Sequence, residues 1–279
     1  MISPFLISVR EGLEMALIVA IVLAYLAKTG NRAHFKYVWL GLGGAIAVSA
    51  LAATGIFLIA GELAGPAEMA FEGVTMLIAV VILTWMIFWM RKVSRNIKRE
   101  LEMRVDTAMD VGSSLALASL VFVAVVREGL EEALFLFSAS RTSTAGESVV
   151  GAGLGLALAA FLGYAMYSGS RWLNLRAFFN VTGVVLILVA AGLLAHGLHE
   201  FIELKFVPPI IETVWDTNGI IDEDGVFGGF LKAVFGYNGN PALIEVMAYF
   251  AYASGCLLAF VRPLVGARVE KAKTSTSAA

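Results

Sequence analysis

Arg10-Glu11-Gly12-Leu13-Glu14 and Arg127-Glu128-Gly129-Leu130-Glu131 repeat one five-residue string within apolar sequence. On a helix, residues four apart fall about 40° from each other and residues three apart about 60°, so each copy gathers two carboxylates and one guanidinium on one side. Two such sides facing each other offer four oxygen-donor groups, the ligand type that hard cations take. Arg10 and Arg127 would hold the carboxylates in place and limit their repulsion while no ion is bound. A plainer alternative is that Arg10 with Glu14, and Arg127 with Glu131, are buried ion pairs that only assemble helices. That accounts for one copy better than for two with additional carboxylates.

The setting is a bilayer. Hydrophobic residues make up 59% of the 279 positions, charged residues 15%, and the mean hydropathy is +0.84, which is more apolar surface than a soluble domain can bury. An ionisable residue at the centre of a membrane helix costs at least about 2.5 kcal/mol, so several in each of two segments imply a use. The single cysteine, Cys256, excludes an internal disulfide framework and a cysteine-built metal centre. No basic stretch precedes the first apolar run, so the N-terminus is expected to be a retained helix rather than a signal peptide. The chain has no nucleotide-binding motif and no expected nucleic-acid partner. Its energy would come from an ion gradient, proton exchange, a partner or the membrane potential, which supplies about 2.3 kcal/mol per charge per 100 mV.

The pattern predicts an all-α polytopic membrane protein with seven transmembrane helices, near Phe5–Ala27, Tyr37–Ala60, Ala70–Met90, Gly112–Ser138, Val149–Ser168, Phe178–Leu198 and Ala242–Val261. Of 20 lysines and arginines, only Arg141, Lys205 and Lys232 fall on the side that includes the N-terminus, while Arg10 and Arg127 lie within segments. The N-terminus is therefore expected outside and the C-terminus in the cytoplasm. The outer side is acidic, with Glu62, Glu68, Glu72, Glu200, Asp216, Asp222, Glu223, Asp224 and Glu245 among its residues, so an incoming cation meets negative charge first.

An internal repeat underlies this layout. Phe-x-x-x-Val-Arg-Glu-Gly-Leu-Glu-x-Ala-Leu occurs at Phe5–Leu17 and at Phe122–Leu134, and Phe71-x-x-Val74-Thr75 echoes in Phe178-x-x-Val181-Thr182. Three segments per repeat is an odd number, so the halves have opposite orientation, giving an inverted 3+3 repeat plus a final helix. Glu14 lies roughly 15 Å below the outer end of the first helix and Glu131 roughly 10 to 15 Å below that of the fourth, so the motifs reach similar depth. Gly12 and Gly129 are expected to let the neighbouring helix approach closely enough for carboxylates to share an ion. One transmembrane domain would cover 1–263, with repeat one at 1–92, repeat two at 112–200, an outer loop at 199–241 and the last helix at 242–262. A disordered cytoplasmic tail is expected at 264–279.

Glu72 opens the third segment, and His196, His199, Glu200 and Glu203 close the sixth, forming a second polar cluster on the outer side. It reads as an outer relay for ion capture, or as polar residues meeting headgroup water. Val226 to Phe235 is apolar enough to lie at the interface or re-enter partway. Arg91 to Arg104 suggests an amphipathic helix on anionic lipid, chiefly an orientation anchor. A different class of function, an intramembrane zinc hydrolase using His196, His199 and Glu200, leaves both five-residue motifs unexplained. Another divalent cargo such as manganese stays open, since carboxylates alone discriminate poorly.

The two motifs in a seven-segment chain resemble the oxidase-dependent iron transporter family, the high-affinity iron permeases of fungi and their bacterial counterparts. The resemblance extends to Phe71-Glu72-Gly73-Val74-Thr75, Phe88-Trp89-Met90, His196-Gly197-Leu198-His199-Glu200 and Phe235-Gly236-Tyr237-Asn238-Gly239-Asn240-Pro241. It implies a multi-pass protein of the cell (inner) membrane that imports iron, ferric rather than ferrous. Glu11, Glu14, Glu128 and Glu131 would be ligands, with Arg10 and Arg127 as companions. Iron is then the transported substrate, with no prosthetic group. An extracytoplasmic oxidase, peroxidase or iron-binding protein is an implied partner, alongside the lipid bilayer. Glu132 replaces Met15 of the first copy, and a paired spare acid and a fifth ligand are both open for it. Topology is testable with Cys256 replaced by serine: a cysteine introduced near Ser94 is expected to resist an impermeant thiol reagent in intact cells, and one near Asn218 to react. The reverse labelling pattern overturns the orientation.

Overall fold

The computed structural model describes residues 2–93, 97–110, 114–140, 145–168, 175–222 and 226–276. Among the described residues it is all-helical, with nine α-helices: α1 (Ile2–Lys28), α2 (Phe35–Glu62), α3 (Pro66–Val93), α4 (Ile97–Asp110), α5 (Ser114–Ser140), α6 (Ala145–Tyr167), α7 (Leu175–Glu203), α8 (Val226–Phe235) and α9 (Leu243–Thr276). Each expected apolar segment is helical. Five spans, within α2, α3, α6, α7 and α9, are long and apolar enough to cross a membrane. The other two expected segments, α1 and α5, are 27 residues each and carry the charged motifs, which lower their apolar character. Ser94, Arg95, Arg141, Arg171, Glu223 and Asp224 lie outside the described residues.

The helices pack in pairs. α1 lies along α6, α5 along α2, and α3 along α7, while α1 and α5 also touch each other. One apolar core joins α3, α7 and α9 through Leu83, Met86, Ile187 and Phe260, and a second joins α1, α2, α4 and α5 through Val22, Val38, Val105 and Val121. The motif glycines serve these pairs rather than the α1–α5 contact expected for them. A Cβ on Gly12 would stand 2.9 Å from Ala159 Cβ of α6, and one on Gly129 would stand 2.7 Å from Ser49 Cβ of α2. The reason is angular. Gly12 lies about 100° around the helix from Glu11, and Gly129 likewise from Glu128, so each glycine turns to a different neighbour than its glutamate.

Three peripheral segments take defined positions. The described part of the amphipathic helix is α4, and residues 94–96 of the expected Arg91–Arg104 stretch lie outside the described residues. Leu101, Val105 and Ala108 of α4 are buried, and Tyr25 of α1 donates to Asp106 at 2.6 Å, so its apolar stripe covers protein rather than lipid. α8 is docked on the bundle, with Gly236 against Gly192 of α7. Gly236 has φ of 65°, a conformation suited to glycine, and a Cβ on either residue would meet the other backbone. Gly192 precedes Glu203 by eleven residues, roughly 16 Å of helix, so α8 reaches well down the bundle. α9 runs through Pro263 to Thr276, covering most of the expected disordered tail with a helical backbone rich in helix formers such as Ala, Arg, Glu and Lys.

The α1–α6 contact is tight enough to test. A Cβ on Gly155 would come within 2.6 Å of the Phe5 carbonyl oxygen and 2.8 Å of Ser8 Cβ, whereas one on Gly153 meets nothing within 4 Å. Gly155→Val is expected to destabilise the protein by about 1–3 kcal/mol, and Gly153→Val to be nearly neutral. Thermal unfolding in detergent reads the difference. Equal losses would mean that α6 does not depend on this close approach.

Candidate metal centre

α1 and α5 bring the two motifs together. Carboxylate oxygens from Glu11, Glu128 and Glu131 all lie within 4.8 Å of one another. Metal–oxygen bonds of roughly 2.0–2.6 Å would let one ion span such a group. Glu11 and Glu128 are buried, and Glu131 keeps 11% of its side chain exposed. One oxygen on each, Oε2, is buried without a hydrogen-bond partner. A buried, unpaired carboxylate oxygen is costly, and three carboxylates this close together make a candidate cation site.

The arginines treat their carboxylates differently. Arg10, 2% exposed, donates from Nη1 to Glu11 Oε1 at 2.6 Å and places Nη2 3.1 Å from Glu14 Oε1. Nη1 also lies 3.1 Å from Met86 Sδ of α3. Arg127 is 35% exposed, donates from Nε to Glu131 Oε1 at 2.8 Å and stands 3.8 Å from Glu128 Oε1. Its guanidinium also covers the rings of Trp85 and Trp89, at 5.1 and 4.6 Å from their centroids. Glu14 is outside the three-carboxylate group and beside Arg10, although still within electrostatic range of Glu131. Glu132 is also outside it. It lies beside Ser8 and lines an apolar groove of about 760 Å³ between α1, α2, α5 and α6, on the side where Gly12 and Gly129 also point.

The second cluster is built where α3 begins and α7 ends. Glu72 is buried there, and a Cβ on the adjacent Gly73 would lie 3.2 Å from Glu200 Cβ, so these two elements cross closely. His199 is held by Glu245 at 2.9 Å and stands 3.3 Å from Glu203. His196 instead pairs its Nδ1 with the Gly192 carbonyl at 3.0 Å. Among the described residues, Glu72, His196, His199 and Glu200 do not converge as a three-ligand group.

Comparison with known proteins decides the class. A family profile described as the Iron permease FTR1 family matches residues 1–274. This chain belongs to that family. "Ferrous iron permease EfeU" of Escherichia coli O6:K15:H31 is 41% identical over 94% of this chain and 96% of its own length. "Putative inactive ferrous iron permease EfeU" of Escherichia coli K12 is 41% identical with the same coverage, and the Yersinia pestis "Ferrous iron permease EfeU" is 38% identical over 94% of each chain. No solved structure matches. The protein is thus an iron permease of the membrane, a transporter rather than an enzyme. The hydrolase alternative built on His196, His199 and Glu200 is overturned. Iron is the permease's substrate.

Several participants were not singled out from sequence. Glu245 stood only among the outer acidic residues, yet it bonds His199 and accepts from Asn238 Nδ2 at 2.9 Å, tying α7, α9 and their connection together. Its position in the first turn of α9, seven residues after Asn238, was the available signal. Trp85 and Trp89, four apart on α3, signalled a common face but not that Arg127 would lie on it. The different burial of the two arginines has a consequence for stability. Arg10→Met in the permease is expected to cost about 3–5 kcal/mol, because it leaves buried carboxylates without their cation. Arg127→Met is expected to shift unfolding less. Denaturant titration in detergent checks the order, and a larger loss at Arg127 would reverse this assignment.

Proposed function

We propose that this permease imports ferric iron through one site shared by its two halves, with Glu11, Glu14, Glu128 and Glu131 as ligands. The convergence of Glu11 from one half with Glu128 and Glu131 from the other carries this reading. Glu11, Glu128 and Glu131 take the ion first, with Glu14 still on Arg10, and Glu14 completes the ligand set afterwards. The donors are all carboxylate oxygens, with neither thiolate nor imidazole, which suits a hard ion such as ferric iron. The relatives are named for ferrous iron, and an oxidation step outside the membrane, by an extracytoplasmic oxidase or peroxidase, would reconcile the two. Inward movement of a positive charge is then favoured by the membrane potential.

The pairing of helices supports an inverted repeat. α1 with α6 and α5 with α2 are the same relation with the halves exchanged, while α1 with α5 and α3 with α7 each map onto themselves. α9 is the extra, seventh span, and the distribution of basic residues favours an outer N-terminus. Glu72, His196, His199 and Glu200 then lie on the outer side as a capture relay that raises local ion concentration.

Purified protein in liposomes tests this reading, with ferric citrate, ferrous, manganous and zinc ions compared at controlled pH. Ferric uptake is expected to exceed the others, and faster manganous uptake would overturn the cargo. Glu11→Ala and Glu131→Ala are each expected to lower uptake at least about a hundredfold, with little further loss when combined, since ligands of one ion act as a unit. Strong uptake by either folded variant would end the shared-site reading. In the same assay, His199→Ala and Glu200→Ala are expected to lose rate mainly at low iron. Equal loss at every concentration would move α7 from the relay into the translocation site.

A further inference from the structure

Binding one ion at Glu11, Glu128 and Glu131 raises the question of what the arginines then hold. Arg10 has a reserve partner, because Glu14 lies outside the three-carboxylate group at 3.1 Å from Nη2. Among the described residues Arg127 has no such partner in contact, Glu14 reaching it only at longer electrostatic range. Its ion-pair partners, Glu131 and Glu128, are both members of the group, and its buried Nη2 has no hydrogen-bond partner. What remains beside it is aromatic. Trp85 and Trp89 stack on each other with centroids 5.7 Å apart at 20°, and the Arg127 guanidinium is 4.6 Å from the Trp89 ring. A guanidinium over an indole face is attracted by the ring quadrupole, most strongly away from water.

We propose that Trp85 and Trp89 are positioning residues for Arg127, an aromatic seat that keeps the guanidinium in place while Glu131 and Glu128 pass from the arginine to the iron. This rests on the reading of the motif glutamates as iron ligands. The seat lowers the penalty for displacing Arg127, so it acts on how tightly the ion is held. Without it, Arg127 stays on Glu131 and competes with the cation. A contact that only stabilises the fold has a different signature, since loss of folded protein lowers the maximum rate and leaves the half-saturating concentration unchanged.

The test is ferric citrate uptake across a concentration series, in liposomes holding equal amounts of folded protein. Trp89→Leu is expected to raise the apparent KM about tenfold with the maximum rate within about twofold, and Trp89→Phe, which keeps a π-face, to recover most of the affinity. Trp85→Leu, at a position already half exposed, is the milder variant and is expected to shift KM in the same direction. Unchanged KM in both leucine variants, or a phenylalanine variant no better than leucine, overturns the seat. Glu131→Ala in the same series separates the two ideas. Retained uptake there means that the ligand reading has failed, whereas lost uptake beside unaffected tryptophan variants means that only the seat has.

Discussion

A carboxylate held away from water needs a positive charge close by, and the centre of this protein is organised around that requirement. Each motif supplies its own arginine, so each helix arrives partly compensated, but two carboxyl groups per arginine leave an excess of acidic groups over basic partners. The excess converges where α1 meets α5, and one oxygen each on Glu11, Glu128 and Glu131 is left without a partner. On the proposed reading, an arriving cation would supply the partner these oxygens lack. The arginine–glutamate bonds are then those a cation would have to displace, so affinity and ease of release would depend on how firmly the two arginines keep their partners.

The surrounding helices make that arrangement rigid by close packing. Gly12 and Gly129 bring α1 against α6 and α5 against α2, fixing the rotation of each motif helix and with it the direction of its glutamates. A small-residue contact of this kind suits a bilayer, where apolar side chains gain little by leaving lipid. The α3–α7 pair closes the other side, supplying Met86 to Arg10 and the tryptophan pair to Arg127. The two halves therefore share a packing plan while giving their arginines different surroundings.

Local pattern made much of this legible. Apolar length anticipated the long helices, five of which are long and apolar enough to cross a membrane, and the spacing within Arg10–Glu14 and Arg127–Glu131 placed each set of charges on one side of its helix. The repetition of the motif suggested that the two would meet. What lay beyond reach was which helix turns to which. The glycine partners in α6 and α2, the docking of Gly236 on Gly192 and the link from Glu245 to His199 join residues far apart in sequence, and no periodicity records them. The basic residues of α4 suggested lipid contact, while its buried Leu101 and Val105 answer to α1 and α5. Glu14 shows the limit within the site itself: helical spacing put it beside Glu11, but the reach of the Arg10 side chain decided that it stays with the arginine.

The charges of α1 and α5 also bear on how the chain is made. α1 emerges first during synthesis, carrying Arg10, Glu11 and Glu14, and each such residue costs about 2.5–3.5 kcal/mol at the centre of an isolated membrane helix. The helices it packs on most extensively, α5 and α6, are synthesised more than a hundred residues later. Until then its motif has only its internal ion pairs for compensation. Stable insertion of the first helix would thus be coupled to completion of the second half.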